Sequence, residues 1–320
     1  MKRNIYSYSK LWMIFFVLMG AACTNQVEDV IPVSGQPIEF SVQSDWKEIP
    51  NTRLNAGKTQ FKDSDTIQIF GFHKSPSGEV KKFMYRVNEP ARGQKVGFDG
   101  KDWNYSPKRF WPKKGTLDFY ASYPQYSVLN EEENLKMTYE QPDFNPLGLD
   151  LLLGVSTGHN WANGRKDVEI TMKHALAKVN IILDESLGDH IGSVIIVPVY
   201  KAGHFTKTDE HRIPIWEFND DDKNDDDKVH AIFYKWTDKD KDLIKNNSVT
   251  VFILPDKIKR IQMFADFEPY HKIYDTYPSD EIQKHTFLAG KEYNLRISKG
   301  VQKKNTNSRS IAMSVRCVSE

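Results

Sequence analysis

The sequence predicts an all-β protein built as two sandwiches in tandem. Three observations carry this. Short segments rich in aromatic and β-branched residues recur along the whole chain, separated by Gly, Pro, Asn, Asp or Ser. The first of them alternates strictly, with Ile38, Phe40 and Val42 on one side and Glu39, Ser41 and Gln43 on the other, which is the period of a strand with one buried face. The helix–strand alternation that a parallel α/β sheet requires is missing.

Before the first strand lies a leader. Lys2, Arg3 and Lys10 give it a basic start, and the apolar run 11–19 leads into Gly20-Ala21-Ala22-Cys23. A membrane span needs about 20 apolar residues, so this shorter run predicts a secretory signal over 1–22. Small residues directly ahead of a cysteine resemble the bacterial lipobox, although Gly20 stands where leucine is usual. Cys23 is therefore the candidate lipidation site, for an acyl chain such as palmitate. The alternative is a secreted protein cut after Ala22 with Cys23 incidental. Lipid on the first residue would attach the protein to a membrane without spanning it. Residues 23–37 are polar, contain Pro and Gly, show no helical period, and are expected to form a tether.

The first unit is predicted over 38–164. Its strands are 38–42 (with Trp46 continuing the buried side), 66–73 (TIQIFGFH), 83–87, 103–105 and 116–123 (TLDFYASY). Between the first two, 50–57 is a Pro/Asn/Gly loop holding Thr52-Arg53. The second unit is predicted over 165–299, with strands near 168–172, 179–183, 191–200, 231–236, 248–254, 258–266 and 293–297, the last preceded by a turn at Gly290. The best candidate for a short helix is 175–178. The run 219–228 (NDDDKNDDDK) cannot bury its six aspartates and reads as a solvated loop. Residues 300–320 form a C-terminal extension: a polar linker, 300–308, then a segment in which Ile311, Met313, Val315 and Cys317 again recur at period 2.

Composition excludes several functions. The chain carries 44 basic and 43 acidic residues, and three of the basic ones lie in the leader, so the mature protein has 41 against 43 and no basic field for nucleic acid. Only Cys23 and Cys317 occur, so no intrachain disulfide forms if Cys23 is acylated. The motifs H-E-x-x-H, G-x-x-x-x-G-K-[ST] and C-x-x-C are absent, and the chain is not expected to be an enzyme or to hold a cofactor. His174 has no second ligand at metal spacing, and the acidic run lacks the glycine of a calcium loop, so no metal is expected. Trp103, Tyr105, Pro107, Phe110, Trp111 and Pro112 could form a sugar platform, but their alternation fits the core side of a strand and a rigid bend better.

Several segments, in order, resemble the fimbrillin family of Bacteroidia, the two-domain lipoprotein pilins. They are IEFSV at 38–42, Thr52-Arg53, IFGFH at 69–73, FMY at 83–85, WNYSPKRFWP at 103–112, LDFYASYP at 117–124, DLLLG at 150–154, MKHALAKV at 172–179 and FLAGKEYNLRI at 287–297. The acidic run belongs to no part of that pattern. The resemblance implies two transthyretin-like (immunoglobulin-like) β-sandwich domains and a surface-exposed lipoprotein of the cell outer membrane, held there by lipid. It also implies assembly into fimbriae by donor-strand exchange with other fimbrial subunits as stalk, tip or anchor, and admits adhesion to a host or bacterial surface ligand.

In that scheme the first strand, with Ile38, Phe40 and Val42, is exchangeable, and a protease cuts in the following loop, where Arg53 stands. The donor is a C-terminal segment with matching alternation, here Ile311, Met313 and Val315. Whether 310–318 pairs within its own chain or with another stays open at this point. The alternative function is a carbohydrate-binding surface lipoprotein of a glycan-uptake system, which exposed Trp and Tyr on one face would favour.

Overall fold

The structure is a computed structural model and describes residues 33–44, 60–90, 92–124, 129–131, 137–140, 150–162, 167–185, 193–223, 229–232, 234–236, 243–245, 248–267, 270–276, 285–299 and 313–319. The first strands are β1 (Val33–Pro37), β2 (Phe40–Ser44), β3 (Thr66–Lys74), β4 (Val80–Met84), β5 (Gln94–Phe98), β6 (Trp103–Asn104), β7 (Phe110–Pro112) and β8 (Thr116–Tyr123). Then come β9 (Leu129–Glu131), β10 (Met137–Glu140), β11 (Leu152–His159), β12 (Val168–His174), β13 (Ala177–Leu183), β14 (Ser193–Pro198), β15 (Ala202–Thr208) and β16 (Pro214–Glu217). The rest are β17 (Val229–Ile232), β18 (Tyr234–Trp236), β19 (Leu243–Lys245), β20 (Ser248–Ile253), β21 (Ile258–Phe267), β22 (Tyr270–Thr276), β23 (Glu292–Lys299) and β24 (Met313–Ser319). Among the described residues there is no α-helix, and Asp220–Asp222 forms a 3-10 turn. The all-β expectation holds.

The largest sheet runs β2-β12-β11-β8-β3-β5-β6, with β4 added to β3. Its middle is buried on both faces, which is why β3 reads as an almost unbroken apolar run. Ile67 and Ile69 enter one core, while Phe70 and Phe72 enter another. Gly71 lets β4 approach, since a Cβ there would lie 2.7 Å from that of Met84. The sheet curls until its ends share a single core, in which Ile38, Phe40 and Val42 from one end meet Trp103 and Tyr105 from the other, together with Trp111 of β7.

In the later part of the chain, two four-stranded sheets, β20-β13-β23-β24 and β17-β14-β21-β22, share a second core. Val179, Ile181, Val251 and Leu295 come from the first of these sheets, and Val194, Ile196 and Ile261 from the second. The alternate residues of the first sheet make a polar ladder instead, with Lys178 to Glu292 at 2.9 Å, Asn180 to Asn294 at 3.0 Å and Thr250 to Asn180 at 2.7 Å. A further sheet, β16-β15-β10-β9, joins early strands to later ones over a third core that includes Phe70, Tyr120, Met137, Phe205 and Leu254.

Four details depart from the sequence reading. The tether does not extend to residue 37, because β1 pairs antiparallel with β7, Pro37 opposite Phe110. The strand at 168–174 falls beyond the expected boundary at 165, yet it pairs with both β2 and β11 in the large sheet. No helix forms at 175–178: the Ala175 amide donates to Leu151 O at 2.8 Å, Leu176 O accepts from the Gly290 amide at 2.9 Å, and β13 starts at Ala177. The C-terminal extension is not wholly apart from the body, because β24 lies antiparallel to β23, with Val315 opposite Ile297.

Candidate functional site

The first segment closes the curled sheet like a seam. Its early residues face β7 and its later ones face β12. Along β12 it runs parallel, with Phe40 beside Val168, Val42 beside Ile170 and Ser44 beside Met172. Ile38, Phe40 and Val42 are 0%, 4% and 8% exposed, so the alternation seen in the sequence is the packing of the strand. The Phe40 ring meets Phe119 edge-on at 5.3 Å and Tyr105 at 5.7 Å. Three such side chains are worth roughly 1.5–3 kcal/mol each in burial.

The segment 103–112 grips the start of this strand. The Tyr105 hydroxyl donates to Ile38 O at 2.8 Å and accepts from the Arg109 amide at 3.3 Å. The Ile38 amide donates to Arg109 O at 2.9 Å, and on the other side the Val168 amide donates to Glu39 O at 2.8 Å. Lys108 Nζ bonds both Glu39 carboxylate oxygens, at 3.1 and 2.9 Å, and stands 4.7 Å from the Tyr105 ring centroid. Burial, with Glu39 adding to it, pushes the Tyr105 phenol up to about 12 despite the hydrogen bond from Arg109, so the hydroxyl keeps its proton and remains a donor. Sequence reasoning placed Tyr105 in the core but missed that its hydroxyl and Lys108 hold the first strand.

The remaining predicted residues are placed as follows. Cys23, Arg53 and Ile311 lie outside the described residues. Met313 and Val315 lie on β24, opposite Lys299 and Ile297, in a different sheet from Ile38, Phe40 and Val42. The structure therefore does not bring the two terminal strands together within one chain.

Other chemical candidates resolve into structural contacts. Trp103 and Trp111 are 5% and 2% exposed, so neither offers a face to a sugar. His174 Nδ1 pairs with the Asp150 carboxylate. Ser156 Oγ lies 2.8 Å from His159 Nε2, but it donates its proton to Glu169 O at 2.7 Å. His159 must then donate to the serine and cannot act as its base. Burial also lowers the His159 pKa, against the pull of Asp118. Among the described residues no three His, Cys, Asp or Glu side chains group to hold a metal. Asp220 pairs with Lys223 at 2.8 Å, which holds its carboxyl below the usual range.

The sequence profile of the fimbrillin-like family matches residues 52–312. No curated protein matches the chain. Among solved structures, a candidate cell adhesion protein of Bacteroides uniformis is similar at TM-score 0.50 and 13% identity, over 88% of this chain and 97% of that one. Another from Bacteroides ovatus has TM-score 0.51 and 11% identity, over 89% and 97%. A fimbrial assembly protein of Parabacteroides distasonis has TM-score 0.41 and 11% identity, over 89% and 99%. At these identities the first two speak for the fold alone. The family match spans most of the sequence and includes the segments that hold the first strand from the 103–112 side and from β12. The chain belongs to the fimbrillin-like family.

Proposed function

We propose that this protein is a structural subunit of surface fimbriae, made of two β-sandwich units and assembled by donor-strand exchange. The observation that carries this is the seam. A single terminal segment fills a groove in the first core with Ile38, Phe40 and Val42, yet has a strand neighbour on only one side along β2. Taking it out would uncover an apolar groove and an unpaired edge of β12, both unfavourable in water. A strand from another subunit would restore both through backbone pairing and three buried side chains. The unit boundary is placed just after β12, near residue 175, because β12 completes the first core. Cys23 is the anchor, Arg53 the cleavage point, and Ile311, Met313 and Val315 the donor side chains.

In the test, protein cut after Arg53 grows into linear head-to-tail multimers. Deleting 309–320, or changing Met313 and Val315 to Asp, stops growth while the monomer stays folded. Cut protein that remains monomeric, or a deletion variant that polymerises normally, excludes a stalk role. Labelled fatty acid should enter the wild type and not Cys23→Ala; uptake by the variant refutes lipidation at Cys23. The carbohydrate-binding alternative draws no support from the aromatic cluster, whose tryptophans are buried.

A further inference from the structure

The contacts that hold the first strand divide into two kinds. Tyr105 O–H to Ile38 O, Ile38 N–H to Arg109 O and Val168 N–H to Glu39 O all use the strand's backbone, and any extended chain on the same path satisfies them. Lys108 to Glu39 uses a side chain, and it forms an ion pair at 2.9 Å between this strand and the 103–112 segment. Glu39 lies between the first two buried residues, Ile38 and Phe40, so the ammonium reads one defined position of whatever strand occupies the seam. Backbone contacts supply affinity, whereas a charge at a fixed register position supplies choice of partner and suppresses the wrong register.

We propose that Lys108 selects the incoming strand: the seam's partner is a donor strand from a different subunit with an acidic residue between its first two core-facing apolar side chains. This rests on the exchange reading above. The chain's own C-terminal segment lacks that feature. Laid along the path of β2 in successive two-residue registers, it puts Ala312, Ser314 or Arg316 in the place of Glu39. None is acidic, and the last sets a guanidinium against the Lys108 ammonium. A second copy of this chain is therefore the poorer donor: it enters the seam and assembles on its own, but a subunit carrying the acidic residue displaces it. Tyr105 is the complementary positioning residue, because it grips a carbonyl common to every strand.

The experiment uses the full chain cut after Arg53, with the released amino-terminal fragment read by native mass spectrometry. Excess synthetic nine-residue peptides compete for the seam. They are the protein's own 37–45 segment, its Glu39→Ala and Glu39→Lys versions, and the 310–318 segment. The acidic peptide displaces the fragment best, the alanine peptide about two- to fivefold less well, and the lysine peptide less well again. Lys108→Glu reverses the order of the acidic and lysine peptides. Tyr105→Phe weakens all four about fivefold without reordering them. Entry of all peptides with a ranking indifferent to charge, or an unchanged ranking in Lys108→Glu, overturns the selection while leaving exchange intact. If no peptide enters even the wild type, exchange itself fails and the selection falls with it.

Discussion

The two terminal strands, β2 and β24, share an alternating apolar pattern but are held in opposite ways. β2 runs parallel to β12 and is gripped from its other side by Tyr105, Lys108 and Arg109. β24 runs antiparallel to β23 at the end of its sheet, and its register sets Arg316 directly opposite Arg296. Like charges facing each other across a ladder weaken it. The difference teaches that the amino-terminal strand is latched by the side chains of a second segment, while the carboxy-terminal strand is placed by its backbone pairing with β23. For the strand exchange proposed above, that asymmetry is the useful arrangement. In that proposal the receiving groove would stay closed until cleavage, and the donor strand would have only its pairing with β23 to give up.

The comparison is broken most severely at Phe40. Phe40→Ala removes a ring packed against Phe119 and Tyr105 and should cost about 3–5 kcal/mol in urea unfolding. If the loss is under 1 kcal/mol, β2 is not a core strand. Tyr105→Phe should cost about 1 kcal/mol and speed hydrogen exchange in β2 while leaving β24 unchanged. Uniform speeding throughout would show a general loss of stability, not a latch.

The same hydroxyl gives a pH signature. Its pKa is about 10 in an unfolded chain and rises to about 12 when folded. Because the folded value is the higher one, its contribution is fully present below pH 10 and is lost as pH climbs to about 12. The alkaline unfolding curves of wild type and Tyr105→Phe should therefore converge over that interval. Smallest of all, Arg316→Glu places a carboxylate opposite Arg296 and should slow exchange in β24 by the equivalent of about 0.2–1 kcal/mol. Faster exchange there would show that the arginine pair is not a weakness.

Much of this was legible in the residues. The alternation at 38–42 gave the buried face of the first strand, and the mixed aromatic and aliphatic run at 66–73 gave a further strand. Other features were hidden for physical reasons. β1 contains Gly35 at φ 86° and ends in Pro37, so it has the composition of a turn and pairs irregularly. Phe110–Pro112 reads as a bend because a proline closes it, yet it is the partner of β1. The pairing of 168–174 with β2 and β11 was hidden because period-2 patterning shows that a strand exists but not which distant strand it joins. The same holds for the latch. Lys108 and Glu39 are 69 residues apart, and nothing local in the sequence couples a surface lysine to a surface glutamate.

The most direct test of the account is the fate of the cut amino-terminal fragment. Wild-type protein is cleaved after Arg53, allowed to assemble, and separated into fibre and supernatant, with the fragment holding Ile38, Phe40 and Val42 quantified in each by mass spectrometry. The account predicts fibres whose subunits have lost that fragment to the supernatant, with residues 309–320 protected from proteolysis. Fibres that retain the fragment one-for-one would contradict it, because their subunits would be joined with the seam still closed.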